Sequence, residues 1–314
     1  MTDISLQNFE ADLINASVAQ PVLLDIWAPW CGPCKSLGPV LEKLEVAYAG
    51  RFKLAKLNSD DQPDIAGQLS QMFGVRSIPF CVMFKGGQPV DGFVGALPEA
   101  EVRSFLDKHV PSVEEMAADE EMAAAGELLA EGDTESALEK LREAVAINPA
   151  NDAARYDYLR ALLSAGRVEE AQRAYEPVAG KVLLDARLGA CGHWLAAFDA
   201  ARSGRPVELL EQALAANKRD FAARFELAQT HFAAQRFTQA LDELLEILMR
   251  DKAWGEQLAR KTYVAILEVM GKAAPAKPEP AQPKGSLEIA GRVATAPSDP
   301  LVDSYRRKLS MVLF

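Results

Sequence analysis

The stretch Leu128-Leu-Ala-Glu-Gly132-Asp-Thr-Glu-Ser-Ala137 returns 34 residues later as Leu162-Leu-Ser-Ala-Gly166-Arg-Val-Glu-Glu-Ala171. Leu141 and Tyr175 fall in the same register, as do Ala144 and Val178. Farther on, Phe198 matches Phe232, Leu210 matches Leu244 and Ala213 matches Ile247 at that offset. A repeat of this length is one supersecondary unit that cannot bury its apolar face alone, so copies must stack. Helix formers dominate from Ser112 onward and β-branched runs vanish, so each unit is a pair of helices. Ser112-Val-Glu-Glu115 has the form of a capping box and starts the first helix. Four repeats are expected over roughly 117–253, the third weakest because Gly204-Arg205-Pro206 interrupts its turn. Gln257 to Met270 is expected to cap the stack, giving an all-α domain over 112–270.

Residues 1–110 read differently. Phe9 to Leu13 suggests a short helix, and Val22-Leu23-Leu24-Asp25-Ile26-Trp27 is a short apolar strand bounded by Pro21 and Pro29. Helical spacing follows over 34–49, alternation over Phe52–Leu57, a turn at Asn58–Asp61 and a helix over Asp64–Phe73 ended by Gly74. Phe80–Phe84 and Val90–Val94 are strands joined by Lys85-Gly86-Gly87-Gln88, and Glu99–His109 is a closing helix. Strands alternating with helices and ending in a hairpin imply an α/β mixed sheet covered by helices on both faces. Cys31 then stands at a strand-to-helix junction, where free N–H groups and the positive end of the helix dipole stabilise a thiolate. Cys34, one turn on, is at a separation that a disulfide can span.

The run Asp25-Ile-Trp-Ala-Pro-Trp-Cys-Gly-Pro-Cys34-Lys35, with Pro39, Lys53-Leu-Ala-Lys56-Leu-Asn58, Ile78-Pro79, Gly87 and Val94-Gly95, closely resembles thioredoxin over nearly its whole length. The resemblance implies Cys31 as attacking thiolate and Cys34 as resolving thiol. It implies Asp25 and Lys56 as a buried pair behind them, Asp25 accepting the Cys34 proton, and Ile78-Pro79 as a cis peptide facing the sulfurs. Trp30, Ile78 and Gly95 would receive the substrate chain. No bound cofactor is implied. The Cys31–Cys34 pair is itself the redox centre, reduced from outside by thioredoxin reductase or another thiol reductant. One departure is Phe80-Cys81, where the family usually carries Thr and an aliphatic residue. Phe80 there is expected to widen the apolar landing surface, and Cys81 to be a buried strand residue without a redox role. The 34-residue period, with Gly at the turn and Pro149 after the second helix, resembles tetratricopeptide repeats.

Lys and Arg number 34 against 45 Asp and Glu, a net charge of −11, which argues against nucleic acid as a partner of the whole chain. Neither a secretory signal nor an apolar run of membrane-spanning length is read, so no membrane partner and a cytoplasmic location are expected. Four cysteines do not make a disulfide scaffold, and no second ligand pair accompanies Cys31 and Cys34, so no metal is expected. Trp194, Phe198, Phe221, Phe225, Phe232 and Phe237 are candidates to line a groove of the repeats, set against the reading that they are packing core. His193, His231 and Cys191 read as packed or surface residues.

Residues 271–298 are Pro- and Ala-rich and read as a flexible linker. Asp299 and Pro300 then supply an N-cap and first position for a last helix over 299–314. It carries an apolar stripe at Leu301, Tyr305, Leu309 and Val312 and a basic band at Arg306, Arg307 and Lys308. Such a helix either folds back on the repeats or docks another protein. The whole combination, with Tyr305-Arg306-Arg307 and Leu309 near the end, resembles the chaperedoxin family (YbbN/CnoX). That resemblance implies a holdase that binds unfolded or oxidised client proteins, protects or reduces their cysteines, and hands them to the chaperonin GroEL through Tyr305, Arg306, Arg307, Leu309, Val312, Leu313 and Phe314. Some members lack the first cysteine and cannot reduce disulfides; both are present here. The competing expectation is a protein-disulfide reductase whose repeats recruit particular substrates.

Overall fold

The computed structural model describes residues 2–181, 185–271 and 299–313. Apart from Gly271, the expected linker at 271–298 lies outside the described residues, as does Phe314 of the expected docking set. The chain forms two compact units, one running to Met116 and one from Ala117 that takes in the last helix.

Among the described residues of the first unit, five strands form one sheet in the order β1 (Thr2–Asp3), β3 (Lys53–Asn58), β2 (Val22–Trp27), β4 (Phe80–Lys85), β5 (Gln88–Val94). β2 runs parallel to β3 and antiparallel to β4, so the sheet is mixed. Successive side chains on a strand point to opposite faces. Val22, Leu24 and Ile26 pack with Leu13, from a π-helical turn (Phe9–Asn15), and with Ile65 and Leu69 of α3 (Pro63–Phe73). Leu23 packs on the other face with Leu37, Leu41 and Leu44 of α2 (Gly32–Ala47) and Val102, Phe105 and Leu106 of α4 (Glu99–His109). A short α1 (Ala16–Ala19) precedes β2. At about 1.5–3 kcal/mol for each large apolar side chain fully buried, these two layers hold the sheet together.

Local signals place the turns. Gly86 and Gly87 take positive φ (63° and 80°), which the two-residue hairpin between β4 and β5 requires. The capping box forms as expected: Glu115 N donates to Ser112 Oγ at 3.0 Å, and Ser112 N donates to Glu115 Oε2 at 2.7 Å. Phe80 departs from its expected place. It is buried and meets Phe73 edge-on at 5.5 Å, so it belongs to the core and not to a landing surface. Strand alternation turns it inward, and Gly92 on β5 leaves room, since a Cβ there would lie 3.1 Å from its ring.

The second unit continues α5 (Val113–Glu131) into α6 (Thr134–Ile147). Three further pairs follow: α7 (Asp152–Ser164) with α8 (Val168–Tyr175), α9 (Ala186–Ser203) with α10 (Val207–Ala216), and α11 (Phe221–Ala233) with α12 (Phe237–Leu248). Asp133, Asn151, Asp185 and Asp220 accept from first-turn N–H groups and cap α6, α7, α9 and α11. The third pair's turn is held and not interrupted. Arg205 N donates to Glu226 Oε1 at 2.5 Å, and only glycine fits at 204, where a Cβ would lie 2.6 Å from the Ala200 carbonyl.

Trp194 on α9 centres this core, stacked on Phe232 at 5.7 Å and Phe198 at 6.3 Å, with Phe237 edge-on at 5.6 Å. Trp194, Phe225 and Phe232 are buried, and Phe198, Phe221 and Phe237 are half-buried against the same cluster. The proposed groove aromatics are therefore packing core. A last repeat helix, α13 (Trp254–Met270), enters through a left-handed turn at Gly255, Glu256 and Gln257 and packs against α9 and α12. Its last carbonyls accept from α7: Tyr156 Oη donates to Glu268 O at 3.4 Å and Arg160 to Gly271 O at 3.5 Å. It runs back along the stack as well as closing it.

α14 (Pro300–Leu313) lies on α12 and α13. Asp299 caps it, accepting from Leu301 N at 2.9 Å. Val302, Tyr305 and Leu309 are buried, whereas Leu301 is exposed, so Val302 takes the place expected of Leu301. Tyr263 Oη donates to the Tyr305 carbonyl at 2.9 Å and Tyr305 Oη donates to Asp242 at 3.0 Å. Among the described residues, no helix is long and apolar enough to cross a membrane.

Removing the ring at the centre of the repeat core leaves a void among three other aromatics. Trp194→Ala is expected to cost roughly 3–5 kcal/mol, read as a lower urea midpoint for loss of helical circular dichroism.

Candidate active site

β2 delivers the chain to Trp27, and after Ala28-Pro29-Trp30 the first turn of α2 begins at Gly32, leaving Cys31 as its N-cap. The Cys31 sulfur accepts a hydrogen bond from Cys34 N at 3.2 Å, so it occupies the place where a helix offers unpaired donors and positive potential. Cys31 and Cys34 form a disulfide with Cα atoms 5.3 Å apart. Both are almost fully covered, packed with Ala28 and flanked by Trp27 and Ile78. Trp30 is the outward residue: it is 70% exposed and its Nε1 donates to Asp60 Oδ2 at 3.0 Å.

Ile78-Pro79 is cis, and Pro79 is buried next to the cysteine cluster's partner Ile78. Gly95 N donates to the Pro79 carbonyl at 2.8 Å, which ties the end of β5 to this turn. Trp30, Ile78 and Gly95 thus come from three separate segments.

Behind the disulfide, Asp25 is buried on β2, on the face that Leu23 turns toward α2. Burial pushes its carboxyl up from 3.8 to about 6, against the pull of Lys56 and a hydrogen bond from Cys81, with Glu42 adding to the rise. Lys56 is opposite Asp25 in the β2–β3 register, yet its ion pair is with Glu42 of α2 at 2.8 Å. The expected Asp25–Lys56 pair is thus an electrostatic neighbourhood, with the ammonium tied to the helix. Cys81, read from the sequence as mere strand filling, lies with its sulfur 3.7 Å from Asp25 Oδ1. Nothing in the local sequence signals that contact, because it depends on β2 and β4 pairing in one register.

Among the described residues, no group of three or more His, Cys, Asp and Glu side chains is arranged to hold a metal ion. His193 Nδ1 meets Thr262 Oγ1 at 3.5 Å and His231 Nδ1 accepts from Arg236 Nε at 2.9 Å. Cys191 is buried.

Residues 1–108 match the family model described as Thioredoxin. The thioredoxin of Synechocystis sp. is 43% identical over 107 residues, covering 94% of that protein and 34% of this chain. Thioredoxin 2 of Chlorobaculum tepidum is 47% identical over 104 residues, covering 90% of it and 33% of this chain. The chain belongs to the thioredoxin family. Its thioredoxin domain is one third of the whole, and residues 128–190 and 200–279 match two models described as Tetratricopeptide repeat. The vicinal cysteines of this thioredoxin domain suit it to thiol–disulfide exchange, and the repeats suit the rest of the chain to binding proteins.

A carboxyl whose native pKa lies above its unfolded value binds its proton more tightly when folded. The native state therefore gains stability as pH falls from about 6 toward 3.8, and that gain is lost as pH rises back through 6. Carrying the charge at neutral pH costs roughly 3 kcal/mol. Relative to the parent chain, Asp25→Ala is expected to gain about that much unfolding free energy between about pH 4 and pH 8, measured by urea unfolding of the disulfide form.

Proposed function

We propose that the chain is a redox-competent co-chaperone of the chaperedoxin type. It holds unfolding proteins, guards or reduces their cysteines at Cys31 and Cys34, and passes them to the chaperonin GroEL through its C-terminal helix. The observation that carries this reading is the union, in one chain, of an intact Cys31–Cys34 site beside an exposed Trp30 with a tetratricopeptide-repeat stack and a separate amphipathic last helix.

In the reduced protein the Cys31 thiolate attacks one sulfur of a client disulfide, and the client's other sulfur leaves as a thiolate. Trp30, Ile78 and Gly95 receive the client chain beside Pro79. Cys34 then gives its proton to Asp25 and attacks the Cys31 sulfur. The client's remaining sulfur leaves and takes a proton, and the Cys31–Cys34 disulfide closes. Two electrons from thioredoxin reductase or another thiol reductant restore the dithiol. Lys56 lowers the cost of the charge on Asp25 during this cycle.

Docking by the apolar side of α14 requires its release from α12 and α13, because Tyr305 and Leu309 are buried there, with Val312 and Leu313 packed against the same cluster. Arg306 and Arg307 are exposed. The retention of both cysteines also favours a second reading, a disulfide reductase whose repeats recruit particular substrates.

Cys31→Ser is expected to abolish insulin-disulfide reduction under both readings. The double variant Cys31→Ser/Cys34→Ser separates them. It keeps suppressing aggregation of a chemically unfolded client if the chain is a co-chaperone, and loses all function if it is a reductase first. Co-elution with GroEL should require residues 299–314; binding that survives their deletion removes the docking role of α14.

A further inference from the structure

Cys81 has no part in the exchange steps above, yet it lies against the proton acceptor of that cycle. β2 and β4 run antiparallel with Asp25 directly opposite Cys81, and opposed residues of such a pair project from the same face. Both are buried, at 2% and 0% exposure, so water does not solvate the carboxylate from this side. The sulfur lies 3.7 Å from Asp25 Oδ1, within reach of an S–H···O hydrogen bond. Among the described residues, this thiol is the one side chain that donates a hydrogen bond to Asp25.

The remaining charged and titratable groups facing Asp25 do not take that place. Lys56 comes from β3 and is engaged by Glu42 of α2, which contributes a negative charge. The cysteines at the start of α2 are joined in the disulfide. From α4, Val102, Phe105 and Leu106 line this layer, and none can donate. A carboxylate held in an apolar layer orients toward whatever donor exists, and a donor to the charged form favours that form. Burial and the neighbouring carboxylate push the Cys81 thiol well above its ordinary range, so it keeps its proton and remains a donor at neutral pH.

We propose that Cys81 is a positioning residue for thiol–disulfide exchange: its buried S–H donates to Asp25 Oδ1, orients that carboxylate and favours its charged, proton-accepting form. No covalent change at Cys81 is involved. The inference rests on the proposed role of Asp25 as acceptor of the Cys34 proton. Its consequence is a lower pH limit for resolution of the Cys31 mixed disulfide than an aliphatic residue at 81 would permit.

The test is a titration of the Asp25 carboxyl by carbon-13 NMR in the full chain, held in its disulfide form so that no cysteine of the pair titrates. The parent chain is expected to titrate near 6. Cys81→Val, close in volume but without a donor, should raise the midpoint by about half a unit or more. Cys81→Ala, smaller and equally without a donor, should move it the same way. Cys81→Ser, which keeps a donor, should leave it near the parent value. The decay of a Cys31 mixed disulfide, followed against pH, should show its rising limb displaced upward in Cys81→Val and Cys81→Ala and restored in Cys81→Ser. An Asp25 midpoint unmoved in Cys81→Val and Cys81→Ala, or moved equally in Cys81→Ser, overturns the proposal. If insulin is still reduced while Asp25 ignores Cys81, the inference fails alone. If the parent chain reduces no disulfide at any pH, the proposed function fails, while the titration still decides the contact.

Discussion

A carboxylate on the central strand is the constraint around which the first unit is arranged. β2 is covered on both faces by apolar side chains and hydrogen-bonded on both edges, so Asp25 is cut off from solvent where a charge is least welcome. The surroundings reduce that cost without cancelling it. Lys56 lies near but is tied to Glu42, and Cys81 offers one weak donor. The carboxyl is therefore poised near 6 and can exchange a proton at neutral pH, which a fully paired acid could not do as readily. The same strand sets the start of α2 and so fixes Cys31 at the helix N-terminus. One element supplies the sulfur's electrostatic support and the acid behind it.

The second unit satisfies a different demand. Each pair of helices leaves an apolar face that only the next pair can cover, and Trp194 fills the junction between α9 and α11 with its partners Phe198, Phe232 and Phe237. α13 extends this packing back to α7, and α14 covers part of α12 and α13. The aromatic residues that an open groove would present are thus enclosed by the chain itself. A binding surface on the repeats has to be built from other side chains, or from helix faces uncovered by movement of α14.

Much of this was legible in the residues. Ser112 and Glu115 bond reciprocally, Gly86 and Gly87 make the hairpin, Asp299 caps its helix, and the pairs Leu210/Leu244 and Phe198/Phe232 pack into the repeats. Each of these rests on interactions within a few residues or on a period of the chain. Other expectations were changed by tertiary packing. Phe80 turns to Phe73 because alternation on β4 directs it inward. Lys56 chooses Glu42 because α2 crosses that end of β3. Val302 replaces Leu301 because the helix rotates to place Tyr305 between Tyr263 and Asp242.

The sequence by itself determined the two kinds of architecture, the cysteine pair at a helix start, and a last helix with one apolar side. Those follow from periodicity, capping and backbone preference, which act locally. Only the tertiary structure decided what stands behind the cysteines and which side of the last helix is covered. Strand register and helix docking bring together residues 56 positions apart, as Asp25 and Cys81 are, and 63 apart, as Tyr305 and Asp242 are. No local pattern encodes such pairings, because their free energy exists only once both layers of the core have formed.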